Sequence, residues 1–135
     1  MIHVIMGLKG SGKTKKLIDS VNATAATATG VVVCIEYGNK LTYDVKSTVR
    51  LVNSKEYGIS NSAMLKGLLS GLHAGNYDIT HVYIDNLYKT IGTDRAVGEE
   101  FILWCAEFAK TNNMEITVTV SDDAALASEA VKAYL

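Results

Sequence analysis

Apolar residues are distributed along the chain in two patterns, one typical of buried strands and the other of helices. Short apolar runs occupy residues 2–6, 31–36, 79–85 and 114–121, and residues 47–53 alternate, with Val49 and Leu51 on one side. Runs of this length, rich in Val and Ile, are typical of strands buried on both faces of a parallel sheet. The pattern predicts five strands.

Between these runs, apolar residues recur at the three- and four-residue spacing of helices. The first helix is predicted to begin near Gly12 and to stop at Gly30, because glycine commonly ends a helix. Further helices are predicted over residues 60–76, 94–112 and 121–135. Ser121 is the predicted N-cap of the last one, with acidic residues in its first turn.

Strands that alternate with helices predict an α/β fold, a three-layer sandwich with a mainly parallel sheet covered on both faces. The length of 135 residues suits a single domain over residues 1–135. In such sheets ligands bind at the carboxyl ends of the strands. The first polar residues at those ends are Glu36, Asn53, Asp85 and Ser121.

Composition narrows the functional classes. The net charge is -1, and the only two arginines, Arg50 and Arg95, form no basic patch, so direct nucleic-acid binding by the monomer is not expected. Cys34 and Cys105 are far apart and predict buried thiols in a reduced compartment. No apolar run is long enough for a membrane span, and no targeting segment fits before the first strand. The expected location is cytoplasmic.

The glycine-rich stretch that follows the first strand is the most specific motif. Residues 7–14 read GLKGSGKT, which fits the pattern G-x-x-x-x-G-K-[ST] at every fixed position. Glycines allow positive φ and close approach to an anion, and the amides of the loop and helix start point at the phosphates. The expected phosphate-binding residues are Gly7, Lys9, Gly10, Ser11, Gly12, Lys13, Thr14 and Lys15.

Two of the predicted strand-end and loop residues fit a Mg²⁺ site. Lys13 is expected to reach the β- and γ-phosphate oxygens, and the Thr14 hydroxyl is expected to bind Mg²⁺. Val82 to Asp85 form an apolar strand that ends in an acid, as in a Walker B motif, so Asp85 is the second expected metal residue. Asn86 follows it and cannot act as a base, so hydrolysis is either crippled or uses a base from elsewhere.

The motif, with "GVVVCIEYG" and "HVYIDNLYKTIG", resembles the RecA-like branch of P-loop ATPases, which includes KaiC-like and DnaB-type proteins. The resemblance implies that Glu36, at the end of the second strand, activates the attacking water. It also implies that Ser121 senses the γ-phosphate from a strand between those of the P-loop and Asp85. The later strands of larger RecA-like proteins have no counterpart here, so recombinase or helicase activity is not implied.

The chain is also similar to the core of thymidine kinases, although less closely. In that family a catalytic glutamate follows the Walker B aspartate, where Asn86 stands here. The clustered zinc-binding cysteines and the C-terminal nucleoside-binding segment of that family also have no counterpart.

The leading expectation is a minimal Mg²⁺-dependent ATPase that hydrolyses ATP slowly, with Glu36 and Lys13 as catalytic residues. A second reading is a nucleotide-dependent switch in which the loop 37–46 responds to the γ-phosphate. A third is a small-molecule, nucleoside-type kinase. Expected partners are a nucleoside triphosphate and either a second copy of the chain or an unknown protein. In an assembly, Arg50 and Arg95 are the arginine-finger candidates.

Overall fold

Five strands form one sheet in which every neighbouring pair runs parallel. The computed structural model describes residues 1–135. The elements in chain order are β1 (Ile2–Gly7), α1 (Lys13–Thr27), β2 (Val31–Glu36), β3 (Arg50–Asn53), α2 (Ser62–Gly75), β4 (Ile79–Asp85), α3 (Leu87–Ile91), α4 (Arg95–Thr111), β5 (Glu115–Ser121) and α5 (Glu129–Lys132). The predicted α/β class with a parallel sheet is confirmed.

The order of the strands across the sheet is β1-β5-β4-β2-β3. The register pairs Gly7 with Ser121 and Glu36 with both Asp85 and Asn53. Because all strands are parallel, these carboxyl ends lie along one edge of the fold. The polar strand-end residues therefore meet at that edge, as predicted.

Side chains that alternate along β2 pack into hydrophobic clusters on the two faces of the sheet. Val33 and Ile35 belong to the larger cluster, which includes Leu65 and Leu69 of α2. Val32 and Cys34 belong to the smaller one, which joins α1 to the loop after β2 through Leu17, Val21, Leu41, Val45 and Val49. This loop between β2 and β3 thus covers part of the sheet. None of the helices is long and apolar enough to cross a lipid bilayer.

The predicted stop of the first helix at Gly30 is wrong. Helix α1 ends at Thr27, where the amide of Ala28 donates a 2.8 Å hydrogen bond to the carbonyl of Thr24. Gly30 is instead required by close packing, because a Cβ atom there would lie 2.7 Å from the carbonyl oxygen of Asp78.

The predicted last helix is also wrong, together with the role of Ser121 as its cap. Ser121 remains in β5, and the segment after it forms a 3₁₀ turn at Ala124–Leu126 followed by the short helix α5. Asp123 caps the turn through the amide of Ala125, and Ser128 caps α5 through the amide of Val131. Two closely spaced caps start two short elements instead of one long helix.

Helix α3 was not predicted. It follows β4 directly and contains five residues, of which Leu87, Thr90 and Ile91 are buried. Asn86, which links the two elements, has a φ of 56° in the left-handed region. This conformation turns the chain sharply at the carboxyl end of the central strand.

Candidate functional site

The glycine loop between β1 and α1 adopts a conformation that only glycine accepts readily. Gly10 has a φ of 84° and Gly12 a φ of 85°, both in the left-handed region. Gly12 precedes α1 directly, and no side chain caps the start of that helix. The first amides of α1 are therefore free of side-chain partners at the end of the helix that carries partial positive charge.

A cavity of about 350 Å³, which we call the cradle, lies over this loop. Its lining contains no hydrophobic side chain and no acid: Lys9, Gly10, Gly12, Lys13, Thr14, Lys15, Asn86, Thr119 and Ser121. Three lysines and a helix N-terminus around one cavity create a positive potential. The cradle therefore suits a polyanion such as a chain of phosphates.

The three lysines of the cradle differ in their surroundings. Lys13 is 9% exposed, and its Nζ donates a 3.1 Å hydrogen bond to the carbonyl oxygen of Leu8 across the loop. Lys15 is exposed and lies 3.4 Å from Asp19 on the same helix. Lys9 is exposed at the tip of the loop. Lys13 is thus the lysine that the fold holds most firmly.

Gly7 and Ser11 do not line the cradle but shape the loop. A Cβ atom at Gly7 would lie 2.5 Å from the hydroxyl of Ser11, so only glycine fits there without movement. The amide of Ser11 donates a 3.1 Å hydrogen bond to the carbonyl of Leu8, which closes the turn. The predicted loop residues therefore divide into those that face the cradle and those that form its frame.

A network of oxygen atoms joins the start of α1 to the ends of β4 and β5. The Thr14 hydroxyl lies 3.3 Å from Oδ1 of Asp85, and the Thr119 hydroxyl donates a 2.8 Å hydrogen bond to the same oxygen. The Thr119 oxygen in turn accepts a 2.6 Å bond from the amide of Asn86. Asp85 is only 7% exposed, so these contacts fix its carboxylate in one position.

This network supplies only some of the ligands that a Mg²⁺ ion needs, and a second molecule has to supply the rest. Hydroxyl and carboxylate oxygens are the donors that Mg²⁺ prefers, usually one or two from the protein with phosphates and waters completing the shell. No group of three or more His, Cys, Asp or Glu side chains could hold a metal by itself. Thr14 and Asp85 are therefore suited to a metal that arrives with a phosphate-bearing ligand.

A smaller cavity of about 220 Å³, which we call the chamber, adjoins the cradle. The two cavities share Thr14 and Asn86, and the chamber is also lined by Glu36, Tyr37, Lys40, Leu41, Asp85 and Lys89. Glu36 is therefore beside the Thr14–Asp85 pair but outside the cradle.

The carboxylate of Glu36 fastens the loop that follows β2. Its Oε1 accepts a 3.0 Å hydrogen bond from the amide of Lys40, and its Oε2 accepts a 3.1 Å bond from the amide of Leu41. Each carboxylate oxygen retains a further acceptor site. Glu36 thus has a structural role that the sequence did not indicate, and it keeps the capacity to accept a proton.

A third cavity, of about 430 Å³, lies beyond Glu36 at the ends of β2 and β3, and we call it the outer pocket. Its polar lining includes Asn39, Arg50, Asn53 and Glu56. Oδ1 of Asn53 accepts hydrogen bonds of 2.9 Å from the amide of Gly38 and 3.1 Å from that of Lys55. Asn53 therefore joins the loop after β2 to the turn after β3 beside the outer pocket, whereas it is absent from the lining of the cradle.

The carboxylates of the site affect the pKa of a cysteine that is buried in β2. The thiol of Cys34 is fully buried in β2, two residues before Glu36 and on the same face of the sheet. Burial, with the nearby carboxylates of Asp85 and Glu36, raises the pKa of Cys34 to about 12. Cys34 is thus a protonated core residue and not a nucleophile.

A charged cluster fixes the turn after β5. Arg95 donates 2.8 Å hydrogen bonds from Nε and Nη2 to the two carboxylate oxygens of Asp122, and the Tyr88 hydroxyl donates a 2.8 Å bond to Oδ2. The guanidinium of Arg95 holds the pKa of Asp122 well below its usual range. Burial and the hydrogen bond to Asp122 raise the pKa of Tyr88. The turn beside Ser121 is therefore tied to α3 and α4.

The structure brings most of the predicted site residues to one edge. The cradle contains Lys9, Gly10, Gly12, Lys13, Thr14, Lys15 and Ser121, and Asp85 contacts Thr14. Sequence reasoning missed Thr119 and the contribution of Asn86 to both cavities. Thr119 is one of two threonines that alternate in β5, and polar side chains on one face of a buried strand were the available signal.

The chain matches none of the known protein-family models, and a search of curated proteins finds no relative of it.

Proposed function

We propose that this chain binds ATP with Mg²⁺ in the cradle and hydrolyses it slowly, as a minimal P-loop ATPase of the RecA-like type. The observation that carries the proposal is the combination at one strand edge. A left-handed glycine loop opens into an uncapped helix start, three lysines line the same cavity, and the Thr14–Asp85 pair stands at its side.

Each candidate residue has a separate role in this proposal. The loop amides and Lys13 bind the β- and γ-phosphates, with Lys9 and Lys15 at the rim. Thr14 and Asp85 supply protein oxygens for Mg²⁺, which neutralises phosphate charge when it is bound. Ser121 faces the phosphates from β5, which is hydrogen-bonded between β1 and β4, the strand order that the RecA-like resemblance implies.

Glu36 is the proposed base for hydrolysis. The oxygen of water forms a bond to the γ-phosphorus as the bond to the bridging oxygen breaks, and ADP leaves with that electron pair. Glu36 accepts the proton of the water through a free acceptor site of its carboxylate. Because both carboxylate oxygens also hold the loop after β2, the base is well positioned but poorly mobile.

Slow turnover is expected from the exposure of the loop. Leu8, at its tip, is 64% exposed, and no neighbouring element closes over it. Water that enters the site weakens the electrostatic stabilisation of the transition state.

The test follows γ-labelled ATP, with Mg²⁺ and excess protein, to free phosphate. Lys13→Ala is expected to lower release by at least about 10²-fold, since it removes a cation aimed at the reacting phosphate. Lys16→Ala is the matched control, because Lys16 is an exposed residue of α1 outside the cradle. Equal release from the Lys13 variant and the wild type would refute the proposal.

The outer pocket supports a second candidate, a small-molecule kinase. It adjoins Glu36 on the side away from the glycine loop, so an acceptor hydroxyl bound there would share the same base. A kinase would transfer the label to an added acceptor, whereas an ATPase would release it as free phosphate.

The contacts of Glu36 with Lys40 and Leu41 support a third candidate, a nucleotide-dependent switch. A ligand in the chamber that took over the hydrogen bonds of the Glu36 carboxylate would release the amides of Lys40 and Leu41 and so loosen the loop 37–49. A switch predicts that label stays on bound, intact ATP, with a change in proteolysis of this loop between the ATP- and ADP-bound forms.

A further inference from the structure

Two lysines face the chamber from different elements. Lys40 lies in the loop after β2, and Lys89 lies in α3, four residues after Asp85 in the chain. Neither side chain forms an ion pair within the chain, in contrast to Lys15, Lys66 and Lys132. Both ammonium groups are therefore available to an anion that enters the chamber.

The carboxylates of the chamber do not occupy these cations. Glu36 is hydrogen-bonded to two backbone amides, and Asp85 is hydrogen-bonded to the hydroxyls of Thr14 and Thr119. Since buried carboxylates are stabilised by such bonds, the fold does not need Lys40 or Lys89 to neutralise them.

The two arginines are not available for the chamber. Arg95 is bound through Nε and Nη2 to Asp122, and Arg50 lines the outer pocket at the start of β3. Lys40 and Lys89 are the cations of the chain that line the chamber, whereas Lys9, Lys13 and Lys15 line the cradle.

We propose that Lys40 and Lys89 bind the γ-phosphate of ATP from within the same chain, on the side of Thr14 away from the glycine loop. The inference rests on the proposed function, because the cradle and the chamber adjoin at Thr14 and Asn86. Lys40 and Lys89 then stabilise the charge that develops on the γ-phosphate oxygens, in the place of an arginine supplied by a neighbouring subunit.

This arrangement has two consequences. The site distinguishes ATP from ADP, because ADP has no phosphate that reaches the chamber. Hydrolysis per protomer is also independent of protein concentration, because the cations belong to the same chain as Lys13.

The first experiment measures the reactivity of each lysine in the wild-type protein. Acetylation by an amine-reactive ester is followed by mass spectrometry with Mg²⁺ and either ATPγS or ADP. A bound phosphate should slow acetylation of Lys40 and Lys89 at least about fivefold in ATPγS relative to ADP, because an ion-paired ammonium is less available as free amine. Lys13 should be slowed by both nucleotides, and Lys46, which lines neither cavity, by neither.

The second experiment compares equilibrium affinities of ATPγS and ADP for Lys40→Ala, Lys89→Ala and the control Lys46→Ala. Each chamber variant should lose about tenfold in affinity for ATPγS, the value of one hydrogen bond to a charged group, with ADP affinity unchanged. Lys40→Arg should retain much of the preference, because arginine keeps the charge.

The outcomes separate the inference from the proposed function. Protection of Lys13 without a difference between the nucleotides at Lys40 and Lys89 would overturn the inference and leave ATP binding intact. If neither nucleotide bound or protected Lys13, both the inference and the proposed function would be overturned. Turnover per protomer that rises with protein concentration would also overturn the inference, because it would require a cation from another chain.

Discussion

The Thr14 hydroxyl lies 3.3 and 3.4 Å from the two carboxylate oxygens of Asp85, although 71 residues separate them in the chain. This contact joins the glycine loop to the central strand of the sheet. It places a hydroxyl and a carboxylate, the proposed ligands of Mg²⁺, at the point where the cradle and the chamber adjoin.

Thr14→Val is expected to weaken Mg²⁺-dependent nucleotide binding about tenfold or more while preserving the shape of the side chain, because it removes one of these oxygens. The measurement is ATP affinity by calorimetry with Mg²⁺ and with EDTA. A Mg²⁺ effect equal to that of the wild type would exclude Thr14 from the metal site. Ser20→Ala, which removes a hydroxyl further along α1, is the matched control.

Thr119→Val tests the buried support of Asp85. The change keeps the side-chain volume but leaves the Asn86 amide without its partner and removes one of the two hydroxyls that contact Asp85, so it should lower the free energy of unfolding by about 1–3 kcal/mol. Urea unfolding measures it. Thr117→Val, in the same strand and without a side-chain hydrogen bond, should be nearly neutral. Equal effects of the two changes would mean that the network adds no stability.

Glu36→Gln tests the proposed base. Turnover should fall by about 10²-fold, because an amide cannot accept the proton, while ATP affinity changes little. The control is Glu56→Gln in the outer pocket. The amide can accept only one of the two loop hydrogen bonds, so protease sensitivity of residues 37–49 should also rise. Unchanged turnover would remove Glu36 from the chemistry.

Asp122→Asn should make the stability of the fold less dependent on pH in the acidic range. The pKa of Asp122 is lowered from 3.8 in the fold, so the unfolded chain binds more protons at low pH. The stabilisation is therefore complete above about pH 5 and is lost as pH falls toward the folded pKa. The melting temperature of the wild type should exceed that of the variant at pH 7, by a few degrees, and the difference should narrow between about pH 5 and pH 2. A constant difference would exclude ionisation of Asp122 as its cause.

The parts of the fold that sequence predicted best are those with strong local patterns. Apolar runs identified four strands, the alternation of residues 47–53 identified the fifth, and the glycine spacing identified the loop, because all of these patterns depend on residues near each other in the chain. Ser121 was misassigned because Ser and Asp residues offered several caps in one short segment, and only pairing with Gly7 keeps Ser121 in β5. Helix α3 is too short to show a period.

Other features depend on contacts that no local pattern contains. Gly30 resembles a helix stop, yet its need for glycine comes from β4, about 50 residues further along the chain. Thr119 has the pattern of an ordinary strand residue, and its contact with Asp85 depends on the pairing of β5 with β4. Arg95, a candidate to act on a neighbouring subunit, is paired with Asp122 of its own chain, and the sequence contains no local signal of that pairing.

The order of the strands also determines when the cradle can form during folding. The last strand, β5, inserts between the first and the central one, and it supplies Thr119 and Ser121 to a cavity whose lysines come from residues 9–15. Contacts between such distant segments require a long chain segment to close, which costs conformational entropy before the contacts can form. A nascent chain that ends before β5 lacks part of the cavity, so under the proposed function ATP stabilises only a chain in which β5 has been synthesised and inserted. Nucleotide affinity is then a direct reporter of correct folding for variants throughout the chain.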